Sequence, residues 1–124
     1  MLAGADLVGF VPTTDLVRAR TFYVDTLGLP VIDEDPYALA LDANGTMLRV
    51  TAVPELRPAG YTVCGWRVDD ITAAVRRLGE SGVGFTRYDG MDQDDLAVWT
   101  SPSGAKVAWF TDPDGNTLSL TQFT

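Results

Sequence analysis

The side chains with chemical reach in this chain are two arginines and three tryptophans. Arg49, Arg67, Trp99 and Trp109 each fall on a strand-like segment, Phe10 and Ser119 fall on two others, and Trp66 lies beside Arg67. A guanidinium offers a planar fork to a carboxylate or phosphate. An indole offers a broad apolar face. On one wall, these groups hold a partly planar organic molecule. The same residues also have plainer uses, because Arg49 and Arg67 could pair with nearby carboxylates and any one tryptophan could pack in a core. Histidine is absent and cysteine occurs once, as Cys64. No imidazole is therefore present to activate a nucleophile.

The remaining candidates carry less. Strand alternation places Val63 and Gly65 on one face and Cys64 and Trp66 on the other, so Cys64 reads as a buried thiol and Trp66 as core. Asp92-Gln93-Asp94-Asp95 has oxygens for a hard cation but lacks the calcium-loop spacing with a distal glutamate. It reads as a solvated loop, as does Asp33-Glu34-Asp35.

The elements that must position these residues are written twice. Leu7–Thr13 followed by Asp15-Leu16 and Ala19-Arg20 matches Thr62–Val68 followed by Asp70-Ile71 and Ala74-Val75, at an offset of 55 residues. Each copy is a short apolar run, an acidic residue at a helix start and an amphipathic helix. A repeat in so short a chain means that neither half buries its apolar face alone.

In the first half, residues 5–12 read as a strand. Thr14 or Asp15 caps a helix whose apolar positions are Leu16, Ala19, Phe22, Tyr23 and Leu27. Gly28 suits the left-handed position after it. Leu29–Ile32 and Tyr37–Leu41 read as strands, Asn44-Gly45 as a hairpin turn, and Thr46–Val53 as the fourth strand. Residues 55–60 read as a linker. In the second half, Tyr61–Val68 is a strand, and Asp70 opens a helix with Ile71, Ala74, Val75 and Leu78 inward. Val83–Tyr88 is a strand, 89–95 a loop and Leu96–Thr100 a short extra strand. Ala105–Thr111 and Thr117–Phe123 are strands flanking Asp112-Pro113-Asp114-Gly115-Asn116.

Composition bounds the function. A length of 124 residues predicts one domain. With 46% hydrophobic and 21% charged residues, the chain reads as an ordinary soluble protein. Nine Lys and Arg against 17 Asp and Glu give a net charge of −8, which argues against a nucleic-acid partner. No apolar run reaches membrane-span length. The absence of an export signal and the single cysteine predict a cytoplasmic protein.

The pattern D-L-x-x-A-R-x-F-Y-x-x-x-L-G-L at Asp15–Leu29 resembles the first helix of the vicinal oxygen chelate superfamily, which includes glyoxalases, extradiol dioxygenases and bleomycin-resistance proteins. Trp109–Asn116 followed by Leu118 and Leu120 is similar to its last hairpin. The resemblance covers nearly the whole chain. It implies an α+β fold of two βαβββ modules, about residues 5–54 and 61–123, forming an open β-cup. It also implies that divalent-metal positions fall at Val8, Arg49, Val63 and Ser119. Valine has no donor atom, arginine is a fixed cation, and serine stands where the enzymes keep a glutamate. The expectation is therefore no metal and no cofactor. By strand alternation the cup wall would hold Phe10, Pro12, Met47, Arg49, Thr51, Gly65, Arg67, Thr117, Ser119 and Thr121, with Trp109 facing in and Trp99 over the mouth. The reading is a metal-free binding protein of the bleomycin-resistance type, expected as a homodimer in the manner of relatives, taking a small-molecule ligand through Phe10, Arg49, Arg67, Trp99, Trp109 and Ser119. The alternative is a lyase or isomerase of the superfamily that works without the usual metal.

Overall fold

The computed structural model describes all of residues 1–124. The chain divides into two compact units, Met1–Arg57 and Pro58–Thr124. No helix is long and apolar enough to cross a membrane.

The first unit opens with strand β1 (Val8–Thr13). Asp15 then caps helix α1 (Leu16–Arg20), its carboxylate accepting the Arg18 N–H at 3.1 Å. Past Arg20 the expected α-helix changes to a π-helical turn over Thr21–Thr26, closed by Leu27 N–H donating to the Phe22 carbonyl at 2.9 Å. A π turn holds more residues per turn, so neighbours diverge less in angle. Adjacent Phe22 and Tyr23 use this: their rings meet edge to face at 5.1 Å, and Tyr23 is 1% exposed. Gly28, at φ 79°, ends the segment.

Strands β2 (Val31–Glu34), β3 (Ala38–Ala43) and β4 (Thr46–Ala52) complete a sheet in the order β1-β4-β3-β2, with β1 and β4 parallel and the other neighbours antiparallel. The acidic run expected as a turn is partly strand, because Asp33 and Glu34 pair with Ala40 and Leu39. Asn44 and Gly45 both have positive φ, as a two-residue primed turn requires. The Asp42 carboxylate accepts the Gly45 N–H at 2.7 Å. One face of this sheet carries the buried Val11, Leu39, Leu41, Leu48 and Val50, and α1 packs on β3 and β4. The opposite face carries Phe10, Arg49 and Ala40 in one cross-strand row.

The second unit repeats the plan. Strand β5 (Thr62–Arg67) leads to helix α2 (Ile71–Glu80), capped by Asp70 accepting from Ala73 N–H at 3.1 Å. The Gln122 side chain accepts the Ile71 N–H at 2.9 Å, which satisfies a second helix-start donor. Strands β6 (Trp99–Thr100), β7 (Lys106–Thr111) and β8 (Thr117–Gln122) give the order β5-β8-β7-β6, with β5 and β8 parallel. Two expected strands shrink. Residues 83–88 supply only the bridge Phe85–Phe110, and the strand expected from Leu96 starts at Trp99. The segment between them is closed by short-range backbone bonds, such as Asp94 N–H to the Val98 carbonyl at 2.9 Å, together with the side chains of Gln93 and Asp94.

Around the last turn, Asp112 is 5% exposed, and its carboxylate accepts from Asp114 N–H, Asn116 N–H and the Asn116 amide at 2.8–3.0 Å. Ala108, Phe110, Leu118 and Leu120 are buried on the side where α2 lies against β7 and β8. Trp66 stacks on Phe110 at 6.5 Å on the α2 side of the sheet, but it is half-buried rather than a core residue as expected, because it lies on β5 at the edge of the sheet.

Candidate functional site

Strand alternation gives each sheet a second, open face, and the sequence candidates divide between the two. On the second sheet, Ser119 of β8 sits between Gly65 of β5 and Trp109 of β7, and Thr121 sits between Arg67 and Val107. Trp109 lies opposite in facing to Phe110, which is fully buried. Trp99 pairs with Val107, one register step from Trp109, and the two indoles are 6.0 Å apart with a 36° tilt. Tyr88 meets Trp109 from another side, edge to face at 5.5 Å. The result is an aromatic group of three rings, Tyr88, Trp109 and Trp99. Sequence reasoning named both tryptophans and missed Tyr88, which it took as the last residue of an expected strand over Val83–Tyr88 that the structure does not form.

Arg67 is exposed, with its guanidinium carbon 5.6 Å from the centroid of the Phe123 ring. On the first sheet, Phe10 is 62% exposed beside the half-buried Arg49, and Ala40 stands on the other side of Arg49. Neither arginine forms an ion pair or a hydrogen bond, in contrast to Arg20, which pairs with Glu34 at 3.1 Å. The alternative that Arg49 and Arg67 serve structural salt bridges therefore does not hold. Both guanidinium groups keep all their donors for other partners.

Two candidates differ from their sequence reading. Ser119 is 7% exposed, and its hydroxyl lies against Gly65, where an added Cβ would meet it at 2.5 Å. It is a floor residue under the row rather than an open wall residue. Val63 sits at an irregularity in β5, because Thr62 opposes Thr117 while Cys64 opposes Leu118. Two residues advance where the partner advances one, so simple alternation does not set the facing of Val63. Cys64 opposes the buried Leu118, and burial pushes its thiol pKa up, against a smaller lowering from a backbone hydrogen bond at Gly65. A thiol held protonated is a poor nucleophile.

The four positions that the resemblance assigns to a divalent metal carry Val8, Arg49, Val63 and Ser119 here. Two offer no donor atom and one is a permanent cation in the sheet row. Ser119 offers a single hydroxyl that is covered by its neighbours. This donor set does not fit a divalent ion, and no group of three or more Cys, Asp or Glu side chains elsewhere converges to hold one.

Comparison with known proteins agrees with this geometry. A family profile described as the Glyoxalase/Bleomycin resistance protein/Dioxygenase superfamily matches residues 6–120. Among solved structures, an antibiotic binding protein, TnmS3 from Streptomyces sp. CB03234, is 28% identical with a TM-score of 0.72, over 100% of this chain and 99% of that one. A bleomycin-binding protein complexed with bleomycin is 26% identical with a TM-score of 0.74, over 96% and 98%. A superfamily member from Sphaerobacter thermophilus DSM 20745 is 25% identical with a TM-score of 0.76, over 99% and 100%. A search of curated proteins returned no match. The repeat, the paired four-stranded sheets and the profile match over nearly the whole length lead to one assignment: the chain belongs to the Glyoxalase/Bleomycin resistance protein/Dioxygenase superfamily.

Proposed function

We propose that this protein binds a partly planar organic molecule on the open face of its second sheet, and that binding without a metal is its function. The observation that carries this reading is the three-ring group of Tyr88, Trp109 and Trp99, which stands on the face turned away from α2. Clustered indoles on an open sheet face present a flat apolar platform, the arrangement that stacks on a planar ligand. Arg67 on the same face adds a cationic fork that forms no ion pair, so the ligand carries a carboxylate or phosphate. The bleomycin-binding and antibiotic-binding proteins of similar fold support binding as the activity. We further propose that the protein acts as a cytoplasmic homodimer.

The test is calorimetric titration with three probes that share one ring system: 2-naphthoate, its neutral amide and the corresponding ammonium compound. Bleomycin serves as a fourth. The reading predicts that the carboxylate binds most tightly. Arg67→Ala should weaken the carboxylate by about 1 kcal/mol or more and leave the amide nearly unchanged, because only the anion loses a charge-assisted hydrogen bond. Equal affinity for all three charge states would remove Arg67 from the site. Steady chemical conversion of a bound probe would favour the metal-free lyase or isomerase. Light scattering that gives a 13.4 kDa particle would contradict the dimer.

A further inference from the structure

The three rings do not hold themselves in place. Tyr88 lies outside the sheet, and Trp99 belongs to a strand of two residues. Between them runs an acidic loop with Asp89, Asp92, Asp94 and Asp95. At its centre the side-chain amide of Gln93 makes three hydrogen bonds. Its oxygen accepts the Tyr88 N–H at 2.8 Å, and its nitrogen donates to the Thr86 carbonyl and the Ala97 carbonyl, both at 2.9 Å. Thr86 N–H in turn donates to the Trp109 carbonyl at 2.7 Å. The Gln93 backbone also bridges Trp99 directly. One side chain therefore ties together the backbone beside each of the three rings.

The rest of the loop supports Gln93 from its outer side. Asp94 accepts the Leu96 and Val98 N–H groups through its carboxylate, and the Arg87 guanidinium donates to the Asp94 carbonyl at 2.7 Å. Ala97 is held at φ 65°, a conformation that costs energy for a residue with a Cβ. The chemistry at the centre is selective. The position must donate twice and accept once, and it must do so without charge beside four aspartates. Only a primary amide meets all three conditions, and the span needs glutamine's length.

We propose that Gln93 is the positioning residue of the aromatic group, fixing Tyr88 and Trp99 against Trp109 before a ligand arrives. This inference rests on the reading of that face as a ligand site. Preordered rings lower the ordering cost of binding, so the effect of Gln93 appears in affinity although it touches no ligand.

The test uses Gln93→Met, of similar length without polar atoms, and Gln93→Glu, which sets a carboxylate against two carbonyl oxygens. Two indoles 6.0 Å apart give a circular-dichroism exciton couplet, assigned by its loss in Trp99→Phe. Both Gln93 variants should lose about half or more of the couplet while their urea unfolding remains cooperative, and the 2-naphthoate dissociation constant should rise about five- to tenfold. A full couplet in both variants overturns the proposal. So does a lost couplet with unchanged affinity, which would mean that the ligand does not use the ordered rings. If the parent protein does not bind 2-naphthoate, the binding reading fails by itself, and a couplet kept or lost in the variants still decides whether Gln93 orders the rings.

Discussion

The two sheets share one register and reverse its contents. In the first sheet the central row of the open face runs Phe10, Arg49, Ala40 across β1, β4 and β3. In the second the equivalent row runs Gly65, Ser119, Trp109 across β5, β8 and β7. Large-large-small becomes small-small-large. A sheet face needs its rows filled, but either side of the row can supply the volume. In the first unit bulk sits on the edge strand and leaves a cation half-exposed. In the second, bulk moves to the third strand, where β6 and the 86–98 loop bring further rings against it. The same backbone plan thus yields one charged face and one aromatic face, which is what two copies of a module gain by diverging.

The comparison can be broken most severely at Trp109. Trp109→Ala gives the second row the residue that the first row has at that place, but leaves Gly65 and Ser119 too small to compensate. It should destabilise the protein by about 2–3 kcal/mol in urea unfolding. A loss below about 0.5 kcal/mol would show that the row is not packed around this indole. Gly65→Ala tests the small end of the same row. Its Cβ would lie 2.5 Å from the Ser119 hydroxyl and 3.3 Å from the Ser119 carbonyl oxygen. A cost of about 1–2 kcal/mol is expected, with much of it recovered when Ser119→Gly is added. Strict additivity of the two changes would mean that they do not meet.

In the first sheet the Thr51 hydroxyl, two residues beyond Arg49, is buried without a hydrogen-bond partner. Thr51→Val removes that orphan at nearly constant volume and should stabilise by about 1 kcal/mol, read from the denaturant midpoint. Destabilisation would imply a partner for the hydroxyl. The smallest effect concerns Cys64. Burial raises its thiol pKa in the folded state, so the unfolded chain ionises first. Stability from this group is complete below the ordinary thiol range and is lost as the pH climbs through it. Iodoacetamide at pH 8 should alkylate the native protein several-fold more slowly than the urea-unfolded chain. Equal rates would contradict the partial burial of this thiol, which is half-buried rather than fully buried as the sequence suggests.

Much of the plan is legible in the chain because it rests on local signals. The 55-residue offset that pairs Phe10 with Gly65 reappears in the strand registers, where Phe10 opposes Arg49 and Gly65 opposes Ser119. Asp15 and Asp70 cap helices as their types suggest, and Asn44-Gly45 turns as expected. The departures have non-local causes. The π turn at Thr21–Thr26 follows from where Phe22 and Tyr23 must pack. Val83–Tyr88 has strand composition but meets β7 only through the Phe85–Phe110 bridge and the Thr86 N–H to Trp109 carbonyl bond, while the Gln93 side chain takes up the Tyr88 N–H and the Thr86 carbonyl. Gln93 looked like one polar residue of a solvated acidic run, since no periodicity marks a side chain that closes a loop. The candidate site was legible as far as alternation reaches. That placed Trp109 opposite in facing to Phe110 but could not show that Ser119 is covered, that Val63 falls at an irregularity, or that Tyr88 joins the tryptophans.

The central claim, a planar ligand on the aromatic face of the second sheet, is tested most directly by the three indole N–H signals in a nitrogen-15 correlation spectrum. Trp66 is half-buried and stacked on Phe110 on the α2 side of the sheet, whereas Trp99 and Trp109 share the open face. Titration with 2-naphthoate should shift the Trp99 and Trp109 signals saturably and leave Trp66 in place. A saturable shift of Trp66 alone, or three unmoved signals while the probe binds, would contradict the account.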